Sequence, residues 1–455
     1  MRVHFIAIGG AAMHNLAIAL HLNGFTVTGS DDFIYEPSKT RLSKHGLLPA
    51  QEGWNAESIT SNLDAIILGM HARIDNPELL KAQELNIPVY SYPQYIFEQS
   101  KDKKRIVIGG SHGKTTITSM ILHVLNFYKK DFDYLVGAQI EGFENMVRLS
   151  DAPIIVIEGD EYLASPIDRR PKFHLYKAHV GIISGVAWDH INVFPTFENY
   201  KEQFSLFIDT IEHHGKLIYC KEDEVLKEIV DQHQIKNDIQ IIAYETPKYL
   251  INNGKTYLQT ENEEVEISVF GKHNLMNLSA ARLACAEVGI DNIAFYKAIS
   301  SFKGAAKRLE KIGETKNATA FKDFAHSPSK LKATIDAVKE QFPNRKLIAC
   351  IELHTFSSLN KDFLKEYADT MSGADFAIVF IDEKTFLQKK MQPFSQEEVT
   401  EAFNDENIKF FNQPENLKNY LLNFDFNNTN LLMMSSGNFG SIDLVTLTTL
   451  LFSKQ

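Results

Sequence analysis

The sequence predicts an α/β protein of about three domains built on parallel sheets, and three observations carry that expectation. Short β-branched runs alternate with helical patterns along almost the whole chain, as parallel strands joined by crossover helices require. At 455 residues the chain is too long for one ordinary hydrophobic core. The pattern also resets twice, at the charge run Lys101-Asp-Lys-Lys-Arg105 and near Gly304–Gly313. The expected domains are residues 1–103, 104–312 and 313–455.

Residues 1–103 read as strand, helix and strand at Val3–Ile8, Ala12–Leu22 and Thr26–Gly29, with later strands at Asp64–Gly69 and Ile87–Tyr90. This is a Rossmann-like order. The run 101–105 reads as a solvated turn. Strand Ile106–Ile108 opens the next domain and is followed by a helix at Thr116–Phe127. Strands follow at Tyr134–Val136, Ile154–Ile157, Val180–Ile183, Lys216–Tyr219 and Ile239–Ala243. Tyr257–Phe270 reads as a β-hairpin turning at Glu261–Glu264, and Gly271–Gly289 and Asn292–Phe302 as helices. From Thr319 the alternation resumes through Lys346–Ile351, Phe376–Phe380, Lys409–Phe411 and Asn430–Met434, a second Rossmann-like domain.

Composition excludes several classes. Hydrophobic residues make up 44% and charged residues 23%, as in soluble globular proteins. A formal charge of −11 argues against a dedicated nucleic-acid surface. Cys220, Cys285 and Cys350 are far apart, so neither a disulfide framework nor a zinc site is expected, and a reducing compartment fits. The apolar run at Met1–Gly9 is too short for a signal peptide. No run of about 18 apolar residues suggests a membrane helix. A cytoplasmic protein without membrane insertion is expected.

The chemistry concentrates in a few motifs. After strand Ile106–Ile108 comes Gly109-Gly-Ser-His-Gly-Lys-Thr-Thr116, which ends like a phosphate loop. The common G-x-x-x-x-G-K-S/T form needs glycine at 108, where Ile108 stands. Backbone N–H groups at such a strand-to-helix turn cradle phosphate oxygens; Lys114 supplies charge and Thr115 a hydroxyl for Mg²⁺. A glycine-rich turn without a ligand is the alternative. Glu158-Gly-Asp-Glu161 ends an apolar strand, where a metal–phosphate site wants its carboxylates or where acids are simply solvated. His190, in Trp188-Asp-His190, reads as a metal ligand, a proton carrier or a structural histidine. Asn274 and Asn277, in Gly271-Lys-His-Asn-Leu-Met-Asn277, share one helix face and suit an adenine edge, or serve as caps. Gly9 in a βα turn with Asp31 about 20 residues on gives a degenerate dinucleotide fingerprint.

Together these residues resemble the Mur ligase family, ATP-dependent amide ligases of peptidoglycan assembly. Gly110-Ser-His-Gly-Lys-Thr115 matches its short G-T-x-G-K-T loop, and Glu158-Gly-Asp-Glu161 its E-A-D-E block. Asp189-His190, the G-x-H-N-x-x-N run at 271–277 and Phe302-Lys-Gly-Ala-Ala-Lys-Arg-Leu-Glu310 follow in family order. Lys322-Asp-Phe-Ala-His-Ser-Pro328 resembles a further element, with lysine for its first aspartate. The resemblance implies a P-loop-type central ATPase domain between the two Rossmann-like domains, with ATP and Mg²⁺. ATP would be held by Gly110, Ser111, His112, Gly113, Lys114, Thr115, Thr116, Asn274, Asn277, Arg308 and Asp323. Thr115, Glu158 and His190 would serve metal, with Lys114, Arg308, Asp323 and His326 also in catalytic roles.

Ile6-Ala-Ile-Gly-Gly-Ala-Ala-Met13 resembles the loop of members that bind UDP-N-acetylmuramate, with Ala7 and Ala12 for glycines. That implies UDP-sugar contacts from Gly9, Gly10, Ala11, Ala12, Met13, Ser30, Asp31 and His71. Tyr35–Thr40, Asp160–Tyr162, Asp168-Arg-Arg-Pro-Lys-Phe173 and Ser436–Gly440 look most like the branch whose acceptor is L-alanyl-γ-D-glutamyl-meso-diaminopimelate. The L-alanine-adding branch is the alternative; in place of its H-R-Y-x-R-T segment stands Leu353-His-Thr-Phe-Ser-Ser358. An NAD-dependent oxidoreductase and a non-catalytic ATP-switched binding protein are the rivals from other classes.

Overall fold

A computed structural model describes residues 1–140, 142–188, 193–234 and 238–453. The chain is mixed α/β and falls into two compact units, residues 1–245 with 277–298, and residues 246–276 with 299–455.

The first unit holds two sheets. β1 (Arg2–Ile6), β2 (Thr26–Ser30), β3 (Ala65–Leu68) and β4 (Val89–Ser91) form a parallel sheet in the order β2-β1-β3-β4. β1 stops at Ile6, short of the predicted Ile8, because Ala7 adopts φ +70° and turns the chain into the Ala11–Leu22 helix. The second sheet contains β5 (Lys104–Gly109), β6 (Asp133–Leu135), β7 (Val147–Arg148), β8 (Ile154–Glu158), β9 (Val180–Ile183), β10 (Lys216–Cys220) and β11 (Gln240–Tyr244). Their order is β11-β10-β9-β5-β8-β6-β7, parallel except for β7. Ile106, Val107 and Ile108 are fully buried, which explains their unbroken apolar run: a central parallel strand is covered on both faces.

The charge run is the solvated turn expected only at the exposed Lys101 and Asp102; Lys103 and Arg105 turn inward. Lys103 donates to the fully buried carboxylate of Asp133 at 2.6 Å and to the Ala152 carbonyl at 3.1 Å. Arg105 is 3% exposed and donates to the carbonyls of Ser100 and Lys101 at 2.8 and 3.0 Å. It also reaches Lys177 O at 2.8 Å and Glu212 at 3.1 Å. These cations satisfy carbonyls that the turn leaves open, so their charge is used inside the fold.

The second unit pairs a small antiparallel sheet with a large one. β12 (Tyr249–Asn252), β13 (Lys255–Gln259) and β14 (Glu264–Ile267) extend the predicted hairpin by a strand. Asn253 and Gly254 both have positive φ, +52° and +74°, the turn that a two-residue hairpin favours. Thr256 donates to Gln341 at 2.9 Å, tying this sheet to the Pro328–Gln341 helix. β15 (Glu310–Glu314), β16 (Thr319–Asp323), β17 (Lys346–Glu352), β18 (Phe376–Phe380), β19 (Lys409–Phe411) and β20 (Thr429–Met434) make the large sheet, ordered β15-β16-β20-β17-β18-β19. Along β17, Leu347, Ala349 and Ile351 pack into one apolar cluster, while Ile348 and Cys350 pack into another. Period-two alternation thus fills both faces of the sheet. None of the cysteines forms a disulfide. Among the described residues, no helix is long and apolar enough to cross a membrane.

Candidate active site

β5 lies between β8 and β9, with Ile108 opposite Glu158 and Gly109 opposite Ile183. The loops leaving all three strands therefore meet at one carboxyl edge, where the strand order reverses; α/β sheets bind ligands at such points. Gly110 sits at φ +124°, and a Cβ there would collide with Ser184 Oγ. Gly113 sits at φ +79°, and its Cβ would collide with the Asn277 carboxamide. Both positions thus require glycine on two counts, conformation and space. Ser111 is buried; its N–H donates to Gly185 O at 3.0 Å and its Oγ accepts from Ala187 N–H at 2.9 Å. Ser184 donates to Gly109 O at 3.2 Å and to the His112 carbonyl.

The Lys114–Phe127 helix begins with no side-chain cap and no acid in its first turn. Its orphan N–H groups and positive dipole end suit an anion, so the loop fits a nucleotide's phosphates. Lys114 Nζ donates to Gly110 O at 2.6 Å and to Glu161 at 2.7 Å. Burial works against its charge, yet Glu161, Asp160 and Glu158 outweigh it and raise its pKa. Thr115 Oγ1 donates to Glu158 Oε1 at 2.8 Å, and Gly137 N–H holds the other Glu158 oxygen at 2.9 Å. A hydroxyl and a carboxylate at one phosphate loop are the oxygen donors a hard divalent cation takes. No group of three or more His, Cys, Asp or Glu among the described residues is placed to hold a metal. His190 lies outside the described residues. Thr116 is buried in the first turn of the helix.

Other residues that the sequence assigns to the nucleotide or to catalysis lie in the second unit. Asn274 is buried and donates to Phe270 O at 3.0 Å. Asp323 ends β16, and its two oxygens accept from Leu309 N–H and Ala325 N–H, both at 2.7 Å. Arg308 lies between Lys307 and Leu309, at φ +56° and +46°, and its guanidinium is 4.8 Å from the Phe324 ring centroid. His326 Nδ1 is 2.8 Å from Phe324 O; because a carbonyl can only accept, that nitrogen carries the proton. Lys322 pairs with Glu310 at 3.5 Å.

At the first loop, Gly9 N–H donates to Asp31 at 2.7 Å and Gly10 caps the Ala11–Leu22 helix without a side-chain bond. Ala11 and Ala12 are exposed and Met13 is buried. Ala7 holds its left-handed φ at a cost of about 1–2 kcal/mol relative to glycine. Ser30 is buried and its hydroxyl donates to Glu78. Glu78 is itself fully buried and also takes Asn55 N–H at 2.7 Å and faces His4 Nε2 at 3.4 Å. His71 is exposed in the loop after β3.

Burial raises the Asp31 pKa to about 6, partly offset by the Gly9 N–H and reinforced by Asp32. The folded state then holds the Asp31 proton more tightly than the unfolded chain. Stability should therefore fall as pH rises from about 4 to about 6. Asp31→Asn keeps the acceptor for Gly9, so urea unfolding should show the variant gaining on wild type through that window. A difference independent of pH would refute it.

Sequence reasoning gave no role to Glu161 and missed Tyr200, Ser184 and Gly137. Tyr200 lies on the Phe197–Asp209 helix, and its hydroxyl sits 2.8 Å from Ser111 Oγ and 3.2 Å from Glu161. The partners are 89 and 39 residues away along the chain, a separation no local spacing rule detects.

Three family models match in succession. They are the Mur ligase family catalytic domain over residues 2–104, the Mur ligase middle domain over 108–285, and the Mur ligase glutamate ligase domain over 307–437. A UDP-N-acetylmuramate–L-alanine ligase of Desulforamulus reducens is 30% identical over 390 residues, 83% of this chain and 82% of that protein. A solved UDP-N-acetylmuramate:L-alanyl-γ-D-glutamyl-meso-diaminopimelate ligase from Neisseria meningitides is 26% identical with TM-score 0.59, covering 66% of this chain and 98% of that one. The UDP-N-acetylmuramate–alanine ligase structure from Thermotoga maritima shares the fold across 100% of this chain and 99% of its own, at TM-score 0.69 and 20% identity. With matching models along its length, a phosphate loop at the sheet edge and a relative at 30% identity, the chain belongs to the Mur ligase family of ATP-dependent, amide-bond-forming ligases of peptidoglycan synthesis.

Proposed function

We propose that this ligase joins the muramyl carboxylate of UDP-N-acetylmuramate to an amine through an acyl phosphate. The observation that carries it is the Gly110–Thr115 cradle with Thr115 bonded to Glu158 at 2.8 Å. A carboxylate is a poor electrophile toward amines. It attacks the γ-phosphorus of ATP, ADP leaves, and the neutral amine then attacks the acyl carbon as phosphate departs. Lys114 offsets charge on the transferring phosphoryl group. Thr115 and Glu158 would hold Mg²⁺, whose charge would neutralise phosphate oxygens, and His190 is assigned to a second metal. Residues 1–103 are assigned to the UDP-sugar through Gly9–Met13, Ser30, Asp31 and His71. Residues 104–312 take ATP, with Asn274, Asn277 and Arg308 among its contacts. Residues 313–455 are assigned to the acceptor, with Asp323 and His326 assigned catalytic roles. The proposed setting is the cytoplasm. Family membership leaves the oxidoreductase and binding-switch readings of the sequence without support.

Two acceptors have specific support. Curated relatives near 30% identity are L-alanine ligases, which favours L-alanine over the peptide that the motifs first suggest. The tripeptide is favoured by the 26% identical Neisseria ligase. The likeness of the Asp168–Phe173 segment to that branch adds to it. Phosphate release with ATP and UDP-N-acetylmuramate separates them. Turnover with L-alanine supports the first acceptor, and turnover with L-alanyl-γ-D-glutamyl-meso-diaminopimelate alone supports the second. Release with neither would overturn UDP-N-acetylmuramate as the acid substrate.

A further inference from the structure

The cation of the phosphate loop is held by a directed chain of hydrogen bonds. Glu161 is 1% exposed and pairs with Lys114 at 2.7 Å. A carboxylate in that pair can only accept, so the Tyr200 hydroxyl, 3.2 Å away, donates to it. The single Tyr200 proton is then committed, and Ser111, 2.8 Å from the same oxygen, must donate to Tyr200. Ser111 Oγ in turn accepts from Ala187 N–H at 2.9 Å. Every donor from the backbone of the loop after β9 therefore points toward Glu161, and Lys114 donates to the same carboxylate from the other side. Low-dielectric surroundings strengthen such a chain, because each bond polarises the next.

We propose that Glu161 and Tyr200 are positioning residues for Lys114, fixing its ammonium where the transferring phosphoryl group develops charge and coupling that place to the Ser184–Ala187 loop. This rests on the reading of the Gly110–Thr115 loop as the nucleotide site. Two of the three Lys114 protons are already taken, by Gly110 O and Glu161, which leaves one direction for a phosphate oxygen. Glu161 and the nucleotide also compete for the same cation. Its removal therefore releases Lys114 toward ground-state phosphates while costing the geometry that the transition state needs.

The test is calorimetric binding of β,γ-methylene-ATP together with phosphate-release kinetics on the full chain. Glu161→Gln should lower kcat by ~10–100-fold while the analogue binds as tightly as to wild type or several-fold tighter. Tyr200→Phe keeps the ring that packs against Phe194 and Phe204, and should lower kcat about 10-fold with binding within about 3-fold of wild type. Ser111→Ala should follow Tyr200→Phe. Equal losses of kcat and analogue affinity, or kinetics indistinguishable from wild type, would overturn the positioning role. Lys114→Ala separates the two levels. If it loses the analogue while Glu161→Gln and Tyr200→Phe behave as wild type, only the positioning role fails. If it binds the analogue normally, the nucleotide-site reading fails with it.

Discussion

Lys114→Ala lowers phosphate release by at least ~10³-fold and leaves UDP-N-acetylmuramate binding near wild type. The size follows from what the side chain does. In a water-poor site, a cation aimed at developing phosphoryl charge contributes several powers of ten to the rate. Alanine also removes the ammonium 2.7 Å from the buried Glu161, so the site becomes more negative where phosphates must bind. Nucleotide affinity therefore falls as well, by ~10-fold or more. The Gly9–Met13 loop belongs to a different sheet, with its own hydrogen bonds to Asp31 and Ala7, and keeps its shape. Phosphate-release assays and separate calorimetric titrations of nucleotide and UDP-sugar check both halves. Joint loss of both ligands in a folded variant would show that the two loops do not act as separate sites.

Asp133→Ala destabilises the chain by about 3–5 kcal/mol, the cost of breaking a buried ion pair from one side. The Asp133 side chain is fully buried and its oxygens take Lys103 at 2.6 Å, Ser150 N–H at 2.9 Å and the Ser150 hydroxyl at 2.7 Å. Alanine strands the Ser150 N–H and leaves Lys103, only 10% exposed, with carbonyl acceptors but no counter-charge. Urea unfolding gives the free energy. As a control, Lys81→Ala removes an exposed helix pair with Glu84 and should change stability by less than about 0.5 kcal/mol. A loss for Asp133→Ala no larger than the control's would mean that water reaches the pair.

Much of the architecture was legible because the parallel strands are short β-branched runs. Val180–Ile183 matches its observed strand end to end, and Ile154–Ile157 falls one residue short. The phosphate loop was legible for a related reason: Gly110, Gly113, Lys114 and Thr115 are neighbours in sequence and act within one turn. β7 has only two residues, and β15 reads Glu-Lys-Ile-Gly-Glu, with one large apolar side chain. Neither gives a periodic signal. β12 was missed although Asn253-Gly254 marks its turn. Lys103 and Arg105 were misread because charge in a sequence does not reveal whether a carbonyl waits inside. Glu161 and Tyr200 escaped because their partnership is made by the packing of the Phe197–Asp209 helix, not by spacing.

The buried Glu78 cluster has a consequence for how this protein tolerates change. His4, Ser30, the Asn55 amide and Glu78 satisfy one another out of water, so each side chain is defined by the others. A one-at-a-time mutational scan will find positions 4, 30 and 78 intolerant, while a combinatorial library that swaps them together for apolar residues of matched volume recovers folded clones. Such clones would also free residue 30 from its internal partner. Sequence drift at the end of β2 is thereby channelled into joint steps rather than single ones.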